Sequence, residues 1–244
     1  MTSGSAYQRP VFTIRPEPGF SATLAKGRAA GLDIGGTPLF ELRPVAWDAP
    51  DPAGVDGLLL GSANAVRHGG SALAHYKGKS AFVVGEATAE AARGAGFDVA
   101  MVGEGGLQSV LDRLAGRNLT LLRLAGAERI ALEVPDTIRI VTRTAYESVA
   151  LPMPASLADS LRAGGVVMLH SAAAARHFSD ECTKLGIDRG NLSVAALGPR
   201  ILAAAGDGWQ EVRAAQSPRE SDLLALASDM CHGSRQATID PEKM

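Results

Sequence analysis

Six short turns in the sequence share one feature: a serine or glycine follows an apolar run and precedes a stretch rich in helix-forming residues. These residues are Ser62, Gly85, Gly103, Ser171, Gly198 and Ser217. The first turn of a helix has free backbone N–H groups and the positive end of the helix dipole, so it can bind an anion. Small side chains also let a ligand approach the backbone. The set predicts several sites for anionic groups, although capping or turn geometry alone explains any single member.

Three arginines also follow predicted strands and are candidates to pair with anionic groups. They are Arg15, Arg176 and Arg200. A guanidinium is well suited to this because it donates two parallel hydrogen bonds to one carboxylate. Most arginines are simply solvated at the surface, so the position alone is weak evidence. Arg15, which follows the first strand, is the strongest candidate of the three.

The elements around these turns are strands and helices that alternate along the chain. Apolar runs of four to six residues are followed by Ala-rich helical stretches. This order is typical of an α/β fold with a mainly parallel sheet flanked by helices. Ligands of open parallel sheets bind beyond the carboxyl ends of the strands. We therefore expect the serine and glycine turns to line the binding site.

The second half of the chain repeats the order of the first. Each half has an opening strand and an extended segment, at 37–45 and 138–151, and then three units of strand, small-residue turn and helix. The repeat predicts two similar domains. Any α/β chain yields quasi-repeats of this kind, so the pattern is not specific. It also leaves open whether the domains are consecutive or nested.

Composition excludes several classes of protein. The chain has 244 residues, is 46% hydrophobic and carries a net charge of −2 without a basic cluster, which predicts a folded protein that does not bind nucleic acid. No apolar run is long enough for a membrane span or a signal peptide, so we expect a cytoplasmic protein. The two cysteines, Cys182 and Cys231, lack metal-type spacing.

Familiar catalytic and cofactor motifs are also missing. The histidine pairs 68/75 and 170/177 have no third ligand, and the glycines at 103, 105 and 106 do not complete a dinucleotide motif because residue 108 is Gln. There is no Gly-x-Ser-x-Gly nucleophile elbow and no P-loop. We therefore expect no metal and no cofactor, and catalysis, if any, that depends on binding.

Several segments resemble the uroporphyrinogen-III synthase family. SAFVVGEATAEAARGAGFDV at 80–99 is the most specific, and VFTIRPEPG at 11–19 is similar to the family's Arg-Pro entry. The other matching segments are GLLLGSANAV at 57–66, AYES at 145–148, VVMLHSAAAARHF at 166–178 and SVAALGPRILAAA at 193–205. Their order and spacing agree, and the resemblance covers about residues 11–230.

The resemblance implies a fold and a reaction. The fold has two α/β domains, residues 1–40 with 150–244 and an inserted 44–147, joined by an antiparallel pair of linkers at about 37–45 and 140–151, with the substrate cleft between the domains. The substrate is hydroxymethylbilane, a linear tetrapyrrole octacarboxylate. The enzyme is a cofactor-free lyase that closes it to uroporphyrinogen III with ring D inverted and water lost.

The resemblance also implies roles for individual residues. Tyr146 matches a tyrosine thought to assist the leaving hydroxyl, although a linker tyrosine can equally be a packing residue. Thr88 matches a threonine near the substrate, and it can also stabilise the start of its helix. At Arg200 and Ile201 the chain departs from the threonines that are frequent in the family. The predicted substrate-binding residues are Arg15, Ser62, Gly85, Thr88, Ser171, Gly198 and Arg200.

A non-catalytic alternative keeps the two-domain arrangement but makes the protein a ligand-binding or sensor protein. The chain shows no helix-turn-helix segment that would report binding, which disfavours this alternative. We expect a monomer, because two similar domains already provide the two sides of a site.

Overall fold

Parallel strands determine the architecture, and interior ones such as Gly57–Leu60 and Gly165–Leu169 are buried on both faces. The computed structural model describes residues 8–232. The chain divides into two compact units: unit 1 combines the part up to Glu41 with the part from Ala150 onward, and unit 2 is Leu42–Val149. Each unit contains a sheet with helices on both faces. This arrangement confirms the predicted α/β class.

Strands and helices alternate along the described residues. The strands are β1 Val11–Thr13, β2 Ile34–Gly36, β3 Phe40–Pro44, β4 Gly57–Leu60, β5 Ser80–Val84, β6 Asp98–Gly103, β7 Leu119–Gly126, β8 Ile138–Ala150, β9 Gly165–Leu169, β10 Leu192–Ala196 and β11 Glu211–Ala214. The α-helices are α1 Gly19–Ala29, α2 Ala63–Arg67, α3 Glu86–Gly94, α4 Leu107–Leu114, α5 Ala155–Arg162, α6 Ala172–Lys184, α7 Pro199–Ala205 and α8 Glu220–His232. Short 3₁₀ helices occupy Pro52–Gly54, Ser71–Tyr76 and Arg189–Asn191.

Sheet A belongs to unit 1 and has the order β11-β10-β9-β1-β2, with every neighbouring pair parallel. Successive residues of a strand point to opposite faces. In β9, Val167 and Leu169 accordingly pack in one core, and Val166 and Met168 pack in the other. Burial on both faces explains why β9 and β10 are almost continuous apolar runs rather than alternating ones.

Sheet B has the order β3-β8-β7-β4-β5-β6, and the pairs from β8 to β6 are parallel. β3 runs antiparallel to β8, since Val45 N donates to Ala145 O and Leu151 N donates to Leu39 O. The two faces of sheet B again carry separate cores, with Leu58 in one and Leu59 in the other. Sheet B is therefore a parallel sheet with one antiparallel edge strand.

Two features depart from a simple alternation of strands and helices. β2 was not among the predicted strands, because its sequence IGG is typical of a turn; here a Cβ on Gly36 would lie 2.1 Å from Thr13 O, so the close pairing with β1 requires glycine. The segment 127–137, which connects the parallel neighbours β7 and β8, contains no helix. Its residue Ile130 is 79% exposed.

A polar cluster joins four elements of unit 1. Glu220, the first residue of α8, accepts hydrogen bonds from Arg15 Nη1 at 2.8 Å and Thr23 Oγ1 at 2.6 Å, and lies 3.1 Å from His170 Nε2. Burial would raise the pKa of Glu220, but the hydrogen bonds from His170 and Thr23 and the charges of His170 and Arg15 lower it to about 2. The ionised carboxylate therefore stabilises the packing of α1 and α8 around sheet A.

Unit 2 is expected to fold by itself, since both cores of sheet B are formed by residues between Val55 and Ala145. We expect the isolated fragment 44–147 to unfold cooperatively when its circular dichroism is followed with temperature. A fragment of residues 1–122 is the control, because it truncates β7 and separates β1 from β9. If 44–147 is unfolded, a nested domain is the wrong division of the chain.

The polar cluster predicts a pH-dependent stability. Because the pKa of Glu220 falls from 4.5 to about 2 on folding, its contribution is present above pH 4.5 and is lost as the pH falls through about 2. We expect Glu220→Gln to lower the urea unfolding free energy at pH 7 by about 1 to 3 kcal/mol. The difference from the wild type should shrink between pH 4.5 and 2. The matched control is Glu90→Gln at an exposed position, and a loss independent of pH would contradict the assignment.

Candidate active site

A cavity of about 340 Å³ lies at the carboxyl ends of the parallel strands of unit 2. We call it the strand-end cavity. Its lining includes Ser62 after β4, Gly105 and Gly106 after β6, Arg123 in β7 and Tyr146 in β8. Such a cavity is where the chain direction of a parallel sheet places ligands. The structure thus brings two predicted site residues, Ser62 and Tyr146, to one cavity.

A bulge in β8 sets the position of Tyr146. The parallel register pairs Ala125 with Thr144 but Gly126 with Tyr146, so Ala145 is an extra residue in β8. Bulges of this kind change the direction of a side chain and are frequent next to active sites. A Cβ on Gly126 would lie 2.9 Å from the Tyr146 ring, which means that the ring packs directly on the glycine backbone. The bulge and the glycine together fix the ring at the cavity wall.

The hydroxyl of Tyr146 makes no hydrogen bond with any residue in the range 8–232. One face of its ring is near His68, with the ring centroids 5.7 Å apart. Burial, and then the charge of Arg67, lowers the pKa of His68, so this imidazole is neutral at pH 7. The phenol is therefore available to donate a proton or a hydrogen bond to a ligand, with a neutral aromatic neighbour.

Arg123 is a buried charged residue of the cavity lining that the sequence analysis did not single out. It is 8% exposed in a strand flanked by β4 and β8, and it lines the strand-end cavity. Burial, followed by the charge of Arg129, lowers the pKa of Arg123, but an arginine remains charged in a protein. A signal was present in the sequence LTLLRLAG, where a cation interrupts the apolar run of an interior strand.

The other predicted residues of unit 2 have mainly structural contacts. Ser62 caps α2, since its Oγ accepts a hydrogen bond from Asn64 N at 3.2 Å. Gly85 has φ +75° before α3, a conformation that favours glycine. Thr88 is 4% exposed in α3. Gly85 and Thr88 are not among the residues that line the strand-end cavity, and their role in binding stays a prediction.

The predicted residues of unit 1 follow the strands of sheet A. Arg15 is paired with Glu220, so a substrate carboxylate would have to compete with that ion pair. Ser171 caps α6 through a hydrogen bond from Ala174 N, while Gly198 precedes α7 and Arg200 is exposed. Their role in binding also stays a prediction.

Metal ligands and membrane segments were searched over the part of the chain that the structure describes. Within residues 8–232, no three His, Cys, Asp or Glu side chains converge as a metal site would require. In the same range, no helix combines the length and the apolar character needed to cross a bilayer. Burial raises the pKa of the Cys182 thiol to about 12, so it is inert at neutral pH.

Comparison with known proteins gives a consistent family. The uroporphyrinogen-III synthase HemD family matches residues 21–225. Among solved structures, the uroporphyrinogen-III synthetase from Helicobacter pylori is 15% identical with a TM-score of 0.62, and the match covers 91% of this chain and 99% of that one. A mutant Thermus thermophilus uroporphyrinogen III synthase is 15% identical with a TM-score of 0.48, over 88% and 96% of the two chains. No curated protein matches the chain.

The Helicobacter pylori structure shares the fold at low sequence identity. The family match extends over most of the chain, from a position within α1 to a position within α8. On this evidence the chain belongs to the uroporphyrinogen-III synthase family.

Proposed function

We propose that the protein cyclises hydroxymethylbilane to uroporphyrinogen III as a cofactor-free lyase, with Tyr146 as the proton donor. Membership of the family supports the reaction. The observation that carries the role of Tyr146 is that this residue lines the strand-end cavity and that its hydroxyl has no hydrogen-bond partner among the described residues. In the same proposal the enzyme is a cytoplasmic monomer of 25.2 kDa.

The first step is the loss of the substrate's hydroxyl. The Tyr146 phenol donates its proton to this oxygen, the C–O bond breaks with its electron pair, and water leaves. The nitrogen of the pyrrole ring that carries the hydroxymethyl group supplies the electrons, and the azafulvene forms in its protonated, cationic state. A positioned acid contributes about 10²- to 10⁴-fold to such a step. After ring closure, the ring D carbon that formed the closing bond loses its hydrogen as a proton, and the phenolate takes up this proton. The protons therefore balance, and no redox partner is needed.

The second task is control of where the new bond forms. Without the enzyme the azafulvene joins the free end of ring D and gives the type I isomer. Attack from the substituted carbon of ring D gives a spiro intermediate, which opens and closes again with ring D inverted. Holding ring D at that carbon is an effect of orientation, which can contribute several kcal/mol. Hydrogen bonds to the carboxylate side chains supply that orientation in our proposal.

In the same proposal, these carboxylates are bound by the strand-end turns and by a set of individual residues. These residues are Arg15, Ser62, Gly85, Thr88, Ser171, Gly198 and Arg200. In unit 2, Ser62 has the strongest support because it lines the same cavity as Tyr146. The guanidinium of Arg15 is the less available of the two proposed arginines, since Glu220 already accepts a hydrogen bond from it. The substrate cleft that the resemblance implies remains a prediction.

The isomer of the product tests the reaction. Freshly generated hydroxymethylbilane, added to purified protein in the presence of EDTA, is expected to give uroporphyrinogen III. The product is oxidised and its isomers are separated by chromatography, with a reaction lacking protein as the source of the type I isomer. If the protein binds the bilane but yields only type I, the protein is the ligand-binding alternative rather than a synthase.

The role of Tyr146 is tested by removing only its hydroxyl. We expect Tyr146→Phe to lower kcat by about 10²-fold or more while KM and Tm change little, because the lost interaction is made in the transition state and the ring still packs on Gly126. Steady-state kinetics and thermal unfolding give the three quantities.

Tyr76→Phe is a matched control in the same unit. The hydroxyl of Tyr76 donates to Pro50 O at 2.5 Å, and Tyr76 does not line the strand-end cavity. Its loss should reduce stability by about 1 kcal/mol and leave kcat unchanged. The role of Tyr146 as acid is wrong if Tyr146→Phe keeps more than about half of kcat and loses stability as the control does.

A further inference from the structure

Arg123 is a buried cation that has no counterion among residues 8–232. Its Nη2 donates to Ile130 O at 2.9 Å, and its buried Nε has no acceptor. No carboxylate within residues 8–232 forms an ion pair with it. A guanidinium carries five N–H donors, so most of the Arg123 donors have no protein acceptor among the described residues.

This arrangement is energetically unfavourable in the unliganded protein. A charge removed from water is destabilising unless it is paired and hydrogen-bonded. Burial disfavours the charged form of Arg123, and the nearby charge of Arg129 acts in the same direction. Arginine cannot relieve this by losing its proton. An anion bound beside Arg123 would neutralise this charge and accept hydrogen bonds from it.

The surroundings of Arg123 fit one arm of a larger ligand. The strand-end cavity, at about 340 Å³, corresponds to roughly eleven water volumes. Leu107, Leu124 and Leu132 give it apolar walls. This space suits a single ring with a charged side arm. It is too small for a whole tetrapyrrole.

Neighbouring charges do not take the place of such an anion. Arg129 also lines the cavity, but its Nη1 already donates to Gly126 O at 3.1 Å and Thr144 Oγ1 at 2.9 Å. Glu128 lines the cavity as well and is exposed, and it makes no ion pair with Arg123. The cavity therefore keeps a net attraction for one planar anion at Arg123.

We propose that Arg123 binds one carboxylate side chain of the substrate in the strand-end cavity and thereby positions the attached pyrrole ring beside Tyr146. The proposal rests on the proposed function and adds a residue to it. A carboxylate fits better than a phosphate dianion, because Arg123 is a single guanidinium and a planar carboxylate accepts two parallel hydrogen bonds from it. Arg123 is thus a positioning residue that acts through the ring it holds.

The first test is kinetic. Arg123→Met should raise KM for the bilane about tenfold to a hundredfold, the loss expected for a charged hydrogen-bonded contact. Its Tm should be unchanged or higher, since replacing a buried unpaired charge by an apolar side chain removes a desolvation cost. Arg123→Lys should recover part of the affinity as a point charge. Arg139→Met, at an exposed position of β8 outside the cavity, is the control for the same change in net charge.

A purely structural Arg123 predicts a different result. If the side chain serves only to hold the 127–137 segment through Ile130 O, Arg123→Met should lower Tm and leave KM as in the wild type. That combination overturns the proposal.

The second test needs no turnover and uses the wild-type protein. A pyrrole that carries one acetate and one propionate arm is titrated while the arginine Nε–H signals are followed by ¹H–¹⁵N NMR. The Arg123 signal is identified by its loss in Arg123→Lys, and we expect it to shift saturably. The dimethyl ester of the same pyrrole should have no effect.

The two tests separate this proposal from the proposed function. An Arg123 signal that does not move up to the solubility limit of the pyrrole, in a protein that makes uroporphyrinogen III, overturns the subsite alone. A saturable shift in a protein that does not convert the bilane overturns the proposed function and leaves a carboxylate site. A shift together with an unchanged KM in Arg123→Met shows that the site binds a free carboxylate rather than the substrate.

Discussion

The common direction of the parallel strands in sheet B is the constraint on which the candidate site depends. Because β4, β6 and β7 run the same way, their carboxyl ends meet at one edge of the sheet. Ser62, Arg123 and Tyr146 are far apart in the sequence, yet they line one cavity for this reason. An antiparallel sheet would distribute the same residues between two edges. The topology of sheet B thus brings the residues of the candidate site together.

The two units differ in how a partly or fully buried arginine is paired. In unit 1, Arg15 faces Glu220, which is also hydrogen-bonded by Thr23, so the cluster is internally neutralised and stabilises the packing of α8. In unit 2, Arg123 has a backbone carbonyl as its partner and no carboxylate from the described part of the chain. A charge that is paired and hydrogen-bonded within the fold contributes to stability, whereas an unpaired charge is still able to pair with a ligand. The two arginines therefore differ in how much of each guanidinium is left for a ligand.

Residue patterns could predict the parts of the fold that repeat a local rule. Continuous apolar runs such as GVVML indicated the interior strands, and the serines at 62 and 171 indicated helix starts that the structure confirms as caps. Other features depend on contacts between distant segments. β2 exists because Gly36 fits against Thr13, and the β8 bulge exists because Tyr146 is paired with Gly126. No local pattern reports such pairings.

The candidate site likewise combines residues that the sequence indicates with contacts that only the fold reveals. Tyr146 could be predicted because its surrounding segment resembles the family, and Ser62 because it lies between a strand and a helix. Arg123 is recognisable as unusual in an apolar strand, but only the fold can show that no carboxylate of the described residues pairs with it. For Arg15 the sequence indicated an available cation, whereas the partner Glu220 comes from the distant helix α8.

The contact between Gly126 and Tyr146 separates two properties of the site, the location of the aromatic ring and the chemistry of its substituents. The backbone of Gly126 fixes where the aromatic ring stands, because a Cβ there would lie 2.9 Å from the ring. The substituents of the ring fix what it can donate. A library that varies residue 146 among aromatic side chains therefore samples chemistry at a constant location. Variation at residue 126 samples location at constant chemistry.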